Sequence, residues 1–352
     1  MTDDGPDLLR NRLKARLLLA GAERDVVEGL GEDDSGLDLI RSTVLWGSEE
    51  SITIAELAER SGLDIELCRR ARMLLGLPDP GDQALCRAEE VEAFEGFALG
   101  MELFGVEPVL HFTRVLGSAL GAVAEGALTV FSRALDDDGG TDALLSGDAY
   151  SLAAFDALEA FRIVPGVLQI VAKLQFDRAT DRLTAGPGQE QTGAVGFVDV
   201  TASTRVTAEV GIESVSSSMT GLEERAVELA VASGGRVVKY IGDEVMFMAP
   251  DLASGVEIAV GLVRHVDRDP ILRSARGGVA AGPLLSRDGD LFGTTVNLAA
   301  RLVEKAKART VLLAGDGAAQ IEGASERGRR RLRGLPARVD VWRIEPELHE
   351  LA

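Results

Sequence analysis

The chain has 352 residues, more than one ordinary domain holds, and 46% of them are apolar, the share of a packed globular protein. Its formal net charge of −20 excludes a general nucleic-acid binder and a protein docked on anionic lipid, because phosphate is repelled across most of such a surface. The two cysteines, Cys68 and Cys86, make neither a disulfide framework nor a zinc site, and read as buried thiols of a reducing, cytoplasmic compartment. The first residues are acidic and lack a basic leader. The best apolar run, 115–124, is half the length a bilayer span needs and is bounded by Arg114 and Glu125, so no membrane span is expected.

Residues 8–30 carry Leu and Ala at helical spacing and predict one or two amphipathic helices. Residues 53–60 and 64–75 predict two helices around the turn Ser61-Gly62-Leu63, a helix-turn-helix pattern. A DNA reader needs a basic second helix, and Arg69, Arg70 and Arg72 supply some charge. Asp64 and Glu66, however, occupy the turn that should face bases, so a structural helix pair is the preferred reading. Residues 89–134 continue helical up to the acidic run Asp136-Asp137-Asp138-Gly139-Gly140, read as a solvated loop. Residues 143–161 and 167–183 are the last helical stretches of this half, split by Pro165-Gly166.

At 184–191 the composition turns small, polar and Pro/Gly-rich, as in a linker. Strands then alternate with helices: a strand at 194–200, one or two helices over 209–232, a hairpin, a helix at 252–266, a glycine-bearing strand at 275–285, a helix at 294–305, and strands at 310–314 and 339–344. This pattern predicts an α+β sheet with helices on one face. The basic run Arg327-Gly328-Arg329-Arg330-Arg331 reads as a solvated or phosphate-facing end strand.

Two carboxylates stand out. The hairpin 236–248 turns at Ile241-Gly242-Asp243-Glu244, where Gly242 supplies the φ freedom and Asp243 stands at the tip. Upstream, the apolar strand Ala194-Val195-Gly196-Phe197-Val198 ends in Asp199, followed by a small-residue turn, a place suited to holding a divalent metal over phosphate.

Four segments resemble the class III nucleotidyl cyclases, the adenylate and guanylate cyclase family, in order and near their spacings across about 150 residues of the chain. They are Gly196-Phe197-Val198-Asp199; Lys239-Tyr240-Ile241-Gly242-Asp243; Arg276-Gly277-Gly278-Val279 with Gly282-Pro283; and the stretch from Asp290 to Arg301 that contains Phe292-Gly293-Thr294-Thr295-Val296-Asn297. The resemblance implies an N-terminal all-α domain plus a C-terminal α+β class III cyclase domain, a ferredoxin-like βααβ core sheet with helices packed on it. It divides the chain into a regulatory domain over 1–166, a linker helix and loop over 167–191, and a catalytic domain over 192–352.

The chemistry implied is conversion of ATP to cyclic AMP and pyrophosphate. Attack of the ribose 3′-oxygen on the α-phosphorus wants two metals, Mg²⁺ or Mn²⁺, held by Asp199 and Asp243. Lys239 donates and Asp290 accepts, which suits adenine rather than guanine. Asn297 and Arg301, four apart on one helix, would orient the ribose and neutralise transition-state charge, and Arg276 would touch the outer phosphates. Thr204 stands where the family has part of a Gly-Phe-Thr turn. The resemblance further implies a homodimer with shared sites, and a helical half that responds to pH or to a fatty acid or other apolar ligand. The chain offers three histidines as sensors, His111, His265 and His349. The alternative readings are a guanylate cyclase and a DNA-binding regulator with a nucleotide-sensing half.

Overall fold

The computed structural model describes residues 6–31, 36–46, 51–137, 148–183, 191–201, 211–335 and 337–346. The expected loop at 32–35, the acidic run from Asp138 on, the stretch 184–190, Thr204 and His349 lie outside the described residues. Contacts divide the chain into two compact units, Met1–Leu183 and Thr184–Ala352.

The first unit is helical. Helices α1 (Pro6–Leu19), α2 (Arg24–Glu28) and α3 (Leu37–Arg41) bury Leu13, Leu17, Val27 and Ile40 with Leu152 and Phe155 of α8 (Asp148–Phe161). A second core gathers α4 (Ile54–Ser61), α5 (Ile65–Leu74), α6 (Glu90–Phe104) and α7 (Val106–Asp137), beside the two-residue strands β1 (Ser51–Ile52) and β2 (Cys86–Arg87). Helix α9 (Val164–Leu183) ends the unit.

Helices α4 and α5 start on strong caps. Thr53 and Glu56 form a reciprocal capping box, and the Asp64 carboxylate accepts from the Glu66 amide at 2.8 Å. The arginines of α5 are spent inside the unit. Arg69 pairs with Asp79 at 2.5 Å, Arg70 with Glu107 at 2.9 Å, and Arg72, only 4% exposed, with Glu90. That use of charge leaves a helix pair without a basic reading face.

The helix expected through 89–134 is two, broken at Gly105, whose φ of +91° is outside the helical range. Pro165 does not interrupt a helix. It sits in the first turn of α9, where its missing N–H has no partner to lose.

The second unit is an eight-stranded sheet of order β4-β5-β3-β6-β8-β10-β9, with β7 paired to β6. Its strands are β3 (Gln191–Val200), β4 (Arg236–Ile241), β5 (Glu244–Ala249), β6 (Ala275–Arg287), β7 (Asp290–Phe292), β8 (Val311–Ala314), β9 (Ser325–Arg331) and β10 (Arg338–Ile344). The β6–β8 pair is parallel, and the other described pairs are antiparallel. Three helices cover it: α10 (Ile212–Ala232), α11 (Leu252–Arg268) and α12 (Thr294–Lys305). The one or two helices expected over 209–232 are one in the described stretch, and β7 was not foreseen.

The expectation of helices on one face is wrong. Along β3, Ala194 and Val198 join the core under α10 and α11, whereas Val195 and Phe197 join the core under α12. A strand apolar at both parities must be covered on both sides. Helix α12 lies so close that a Cβ added at Gly278 would come within 2.2 Å of the Val303 amide nitrogen.

Candidate active site

Asp199 and Asp243 come together by strand register. Asp199, the last residue but one of β3, lies opposite Glu244, the first residue of β5, and the Val200 amide donates to the Asp243 carbonyl at 3.4 Å. Gly242, at φ +63°, makes the tight β4–β5 turn that carries Asp243. Tyr240 anchors this hairpin by donating its hydroxyl to the Glu223 carbonyl of α10 at 3.2 Å.

Glu244 is a third carboxylate here, and sequence reasoning did not single it out. Only the β3–β5 register, a pairing distant in the chain, sets the residue after Asp243 across from Asp199. Burial pushes the Glu244 carboxyl up to about 7, helped by the charges of Asp199, Asp243 and Glu304 and opposed by Arg276. Three carboxylates thus gather at this corner, with Arg276 paired to Asp199. Hard oxygen donors under mutual repulsion suit Mg²⁺ or Mn²⁺, and a cation would relieve that strain. Among the described residues no group of three or more His, Cys, Asp or Glu side chains is arranged to hold a metal.

Arg276 of β6 lies opposite Asp199 and grips it, with Nε and Nη2 at 2.8 and 2.7 Å from Oδ2. Its Nη1 donates to the Glu304 carbonyl near the end of α12 at 3.3 Å. Within the chain this arginine is held by a carboxylate, so a phosphate would have to share it.

Lys239 and Asp290 meet, Nζ to Oδ2 at 2.5 Å. The turn before β7 makes the meeting possible, and Arg236 fixes it by donating to the Gly289 carbonyl at 2.9 Å. Partial burial pushes the Asp290 carboxyl up. The hydrogen bonds from Lys239 and the Leu291 amide, with the Lys239 and Arg236 charges, outweigh it and hold the group below the usual carboxylate range. The ammonium keeps two donors and the carboxylate further lone pairs for a ligand.

Helix α12 is pinned at its start, where Thr295 Oγ1 donates to the Pro283 carbonyl at 2.7 Å. It buries Thr295, Ala299, Leu302 and Val303 against the sheet, which turns Asn297 outward to solvent. Arg301 is half-buried and pairs with Glu304. Register places Asp199 and Lys239 on the sheet face that α12 covers, because their neighbours Phe197 and Met246 belong to that core. Among the described residues no hydrogen bond or ion pair joins Asp199 or Asp243 to the Lys239, Asp290, Asn297 and Arg301 set.

No protein-family model matches the chain. An adenylate cyclase of Streptomyces coelicolor is 29% identical over 290 residues, 80% of this chain and 74% of that protein. An adenylate cyclase of Glutamicibacter nicotianae is 27% identical over 305 residues, 78% of this chain and 74% of that protein. A pH-sensitive adenylate cyclase of Mycobacterium tuberculosis is 29% identical over 318 residues, covering 83% of this chain and 78% of that protein. Among solved structures, an adenylyl cyclase from P. aeruginosa matches 47% of this chain and 98% of its own, at 19% identity and a TM-score of 0.40. Over most of its length the chain is thus similar to actinobacterial proteins named adenylate cyclase. It spans about three-quarters of the curated relatives it matches. Among the described residues no helix is long and apolar enough to cross a membrane.

Proposed function

We propose that the protein is an adenylate cyclase that makes cyclic AMP and pyrophosphate from ATP. One observation carries this reading beyond the likeness to its relatives. The carboxylate corner, the Lys239–Asp290 pair and helix α12 all belong to one face of the sheet.

In this reading Asp199 and Asp243 hold two Mg²⁺ or Mn²⁺ ions, which when bound supply charge to the attacking and leaving oxygens. Lys239 donates to adenine N1 and Asp290 accepts from its N6 amine, an order that guanine does not present. Asn297 holds the ribose, Arg301 meets charge that develops on the α-phosphate, and Arg276 reaches the outer phosphates. The outward position of Asn297 supports a homodimer whose partner covers α12, so that each site takes its aspartates from one chain and its base and ribose residues from the other. Control by pH or by an apolar ligand in the helical unit belongs to the same proposal. The DNA-binding alternative loses support from the spent arginines of α5.

The deciding measurement is turnover of ATP and GTP by the purified chain with Mg²⁺ and with Mn²⁺. ATP should be preferred, and Asp199→Ala or Asp243→Ala should abolish turnover without loss of fold. Lys239→Glu with Asp290→Cys should lower the ATP-to-GTP ratio. Near-normal activity in either aspartate variant, or an unchanged ratio, sinks the assignment. Mixing Asp199→Ala and Arg301→Ala chains should restore roughly a quarter of wild-type activity if sites are shared. No recovery, once mixed dimers are shown to form, means that each chain builds its own site.

A further inference from the structure

The basic run at 327–331 has no part in that reading, yet the fold gives it company. Strand β9 lies against β10, and both meet the end of α12. Together they wall a concavity of about 460 Å³ lined by six cations: Lys305, Lys307, Arg327, Arg330, Arg331 and Arg343. Leu312 and Leu332 form its apolar lining. No carboxylate lines it, although the chain carries a net charge of −20.

These cations are poorly matched from within. Glu345 is the carboxylate that serves them among the described residues, touching Arg343 and lying 3.9 Å from Arg327. Arg330 turns its Nε to the Arg327 carbonyl at 3.0 Å. The Nε atoms of Arg327 and Arg343 are buried with no acceptor. A buried donor without a partner costs free energy, and like charges packed round one hollow repel. A bound anion with several oxygens relieves that repulsion.

We propose that this cavity is a binding site for a compact oligophosphate, an anion of the pyrophosphate and tripolyphosphate class. Guanidinium forks match phosphate oxygens two at a time, and Lys305, Lys307, Arg330 and Arg331 face the hollow's rim with no carboxylate paired to them among the described residues. The volume is that of a small-ligand pocket rather than of a groove for a long polyanion, which the net charge would repel. None of the seven residues assigned to the cyclase site lines the cavity, so the inference stands whether or not that reading does.

The test is calorimetric titration of the full chain with sodium tripolyphosphate, in EDTA and physiological salt. Saturable binding is expected. The double variant Lys305→Gln, Arg330→Gln should weaken it by roughly tenfold or more, the loss of two charge-assisted contacts. The charge-keeping pair Lys305→Arg, Arg330→Lys should retain it, and Arg301→Ala should leave it unchanged. If the double variant melts early, Lys305→Gln alone, at an exposed helix end, should still weaken binding several-fold. Absence of saturation, binding indifferent to the Lys305 and Arg330 changes, or binding lost with Arg301→Ala would each overturn the proposal.

Discussion

In the sheet unit both faces of β3 are covered, and Ala194, Val195 and Val198 have no exposed surface. In the helical unit Leu128 and Val130 of α7 and Ile170 and Leu174 of α9 are more than half exposed, at 56, 66, 61 and 59%. The first arrangement pins a small set of side chains against a rigid floor, as the proposed catalytic corner requires. The second relies on charge as well as on burial. Arg72–Glu90, Arg70–Glu107 and Arg10–Asp148 knit its helices, and apolar stripes remain over. Helices with uncovered apolar sides can change their neighbours at little cost, which is in keeping with the proposed control by pH or an apolar ligand. A sheet closed on both faces cannot.

Scanning calorimetry can break this comparison, because each unit should melt as its own transition. The largest effect is expected from Glu90→Ala, which strands the Arg72 guanidinium in the helical core and should lower that unit's stability by about 3–5 kcal/mol. Next comes Gly278→Ala in the sheet unit. The added methyl meets the backbone of α12, so a loss of about 2–3 kcal/mol is expected, and under the proposed function turnover should fall as Asn297 and Arg301 shift. The same change at Gly121, in the middle of α7 with nothing within 4 Å of the new Cβ, should instead stabilise by up to about 1 kcal/mol. Equal shifts from the two glycines would remove the contrast between the units.

The smallest effect concerns pH. Burial holds the His265 imidazole below its ordinary range, with the Arg225 and Arg268 charges adding to this and Asp269 and Glu228 opposing. The unfolded chain therefore takes up the proton first as pH falls. His265 favours the fold above its unfolded value of 6.5, and that contribution drains away as pH drops toward the lower folded value. His265→Gln should flatten the pH dependence of the sheet unit's melting temperature in this window. A slope unchanged by the substitution would show that the loss comes from other groups.

Much of the sheet unit was legible because its signals are local. The bounds of α12, the Gly242 turn and the strand that carries Asp199 follow from periodicity and turn chemistry. What escaped depends on partners distant in the chain. The Arg276 grip on Asp199 needs the β3–β6 register, and Glu244 needs the β3–β5 register. The placement of α12 on its own face follows from β3 being apolar at both parities, a pattern that alternation alone does not resolve. Strand β7 is three residues long, too short to show a period. In the helical unit, the break at Gly105 was hidden by helix-forming residues on both sides.

The position of β3 inside its sheet, with a strand on each side, has a consequence for biosynthesis. Its two neighbours come later in the chain, from Glu244–Ala249 and Ala275–Arg287, and its pairing with β6 joins Gln191 to Leu284. During translation this apolar strand emerges with no edge to dock on, while every residue of the helical unit is already made. The helical unit can thus fold first, and the sheet must wait for a long loop to close. Until the residues up to Leu284 leave the ribosome, the apolar stretch from Ala194 to Val200 lacks its complete β6 partner.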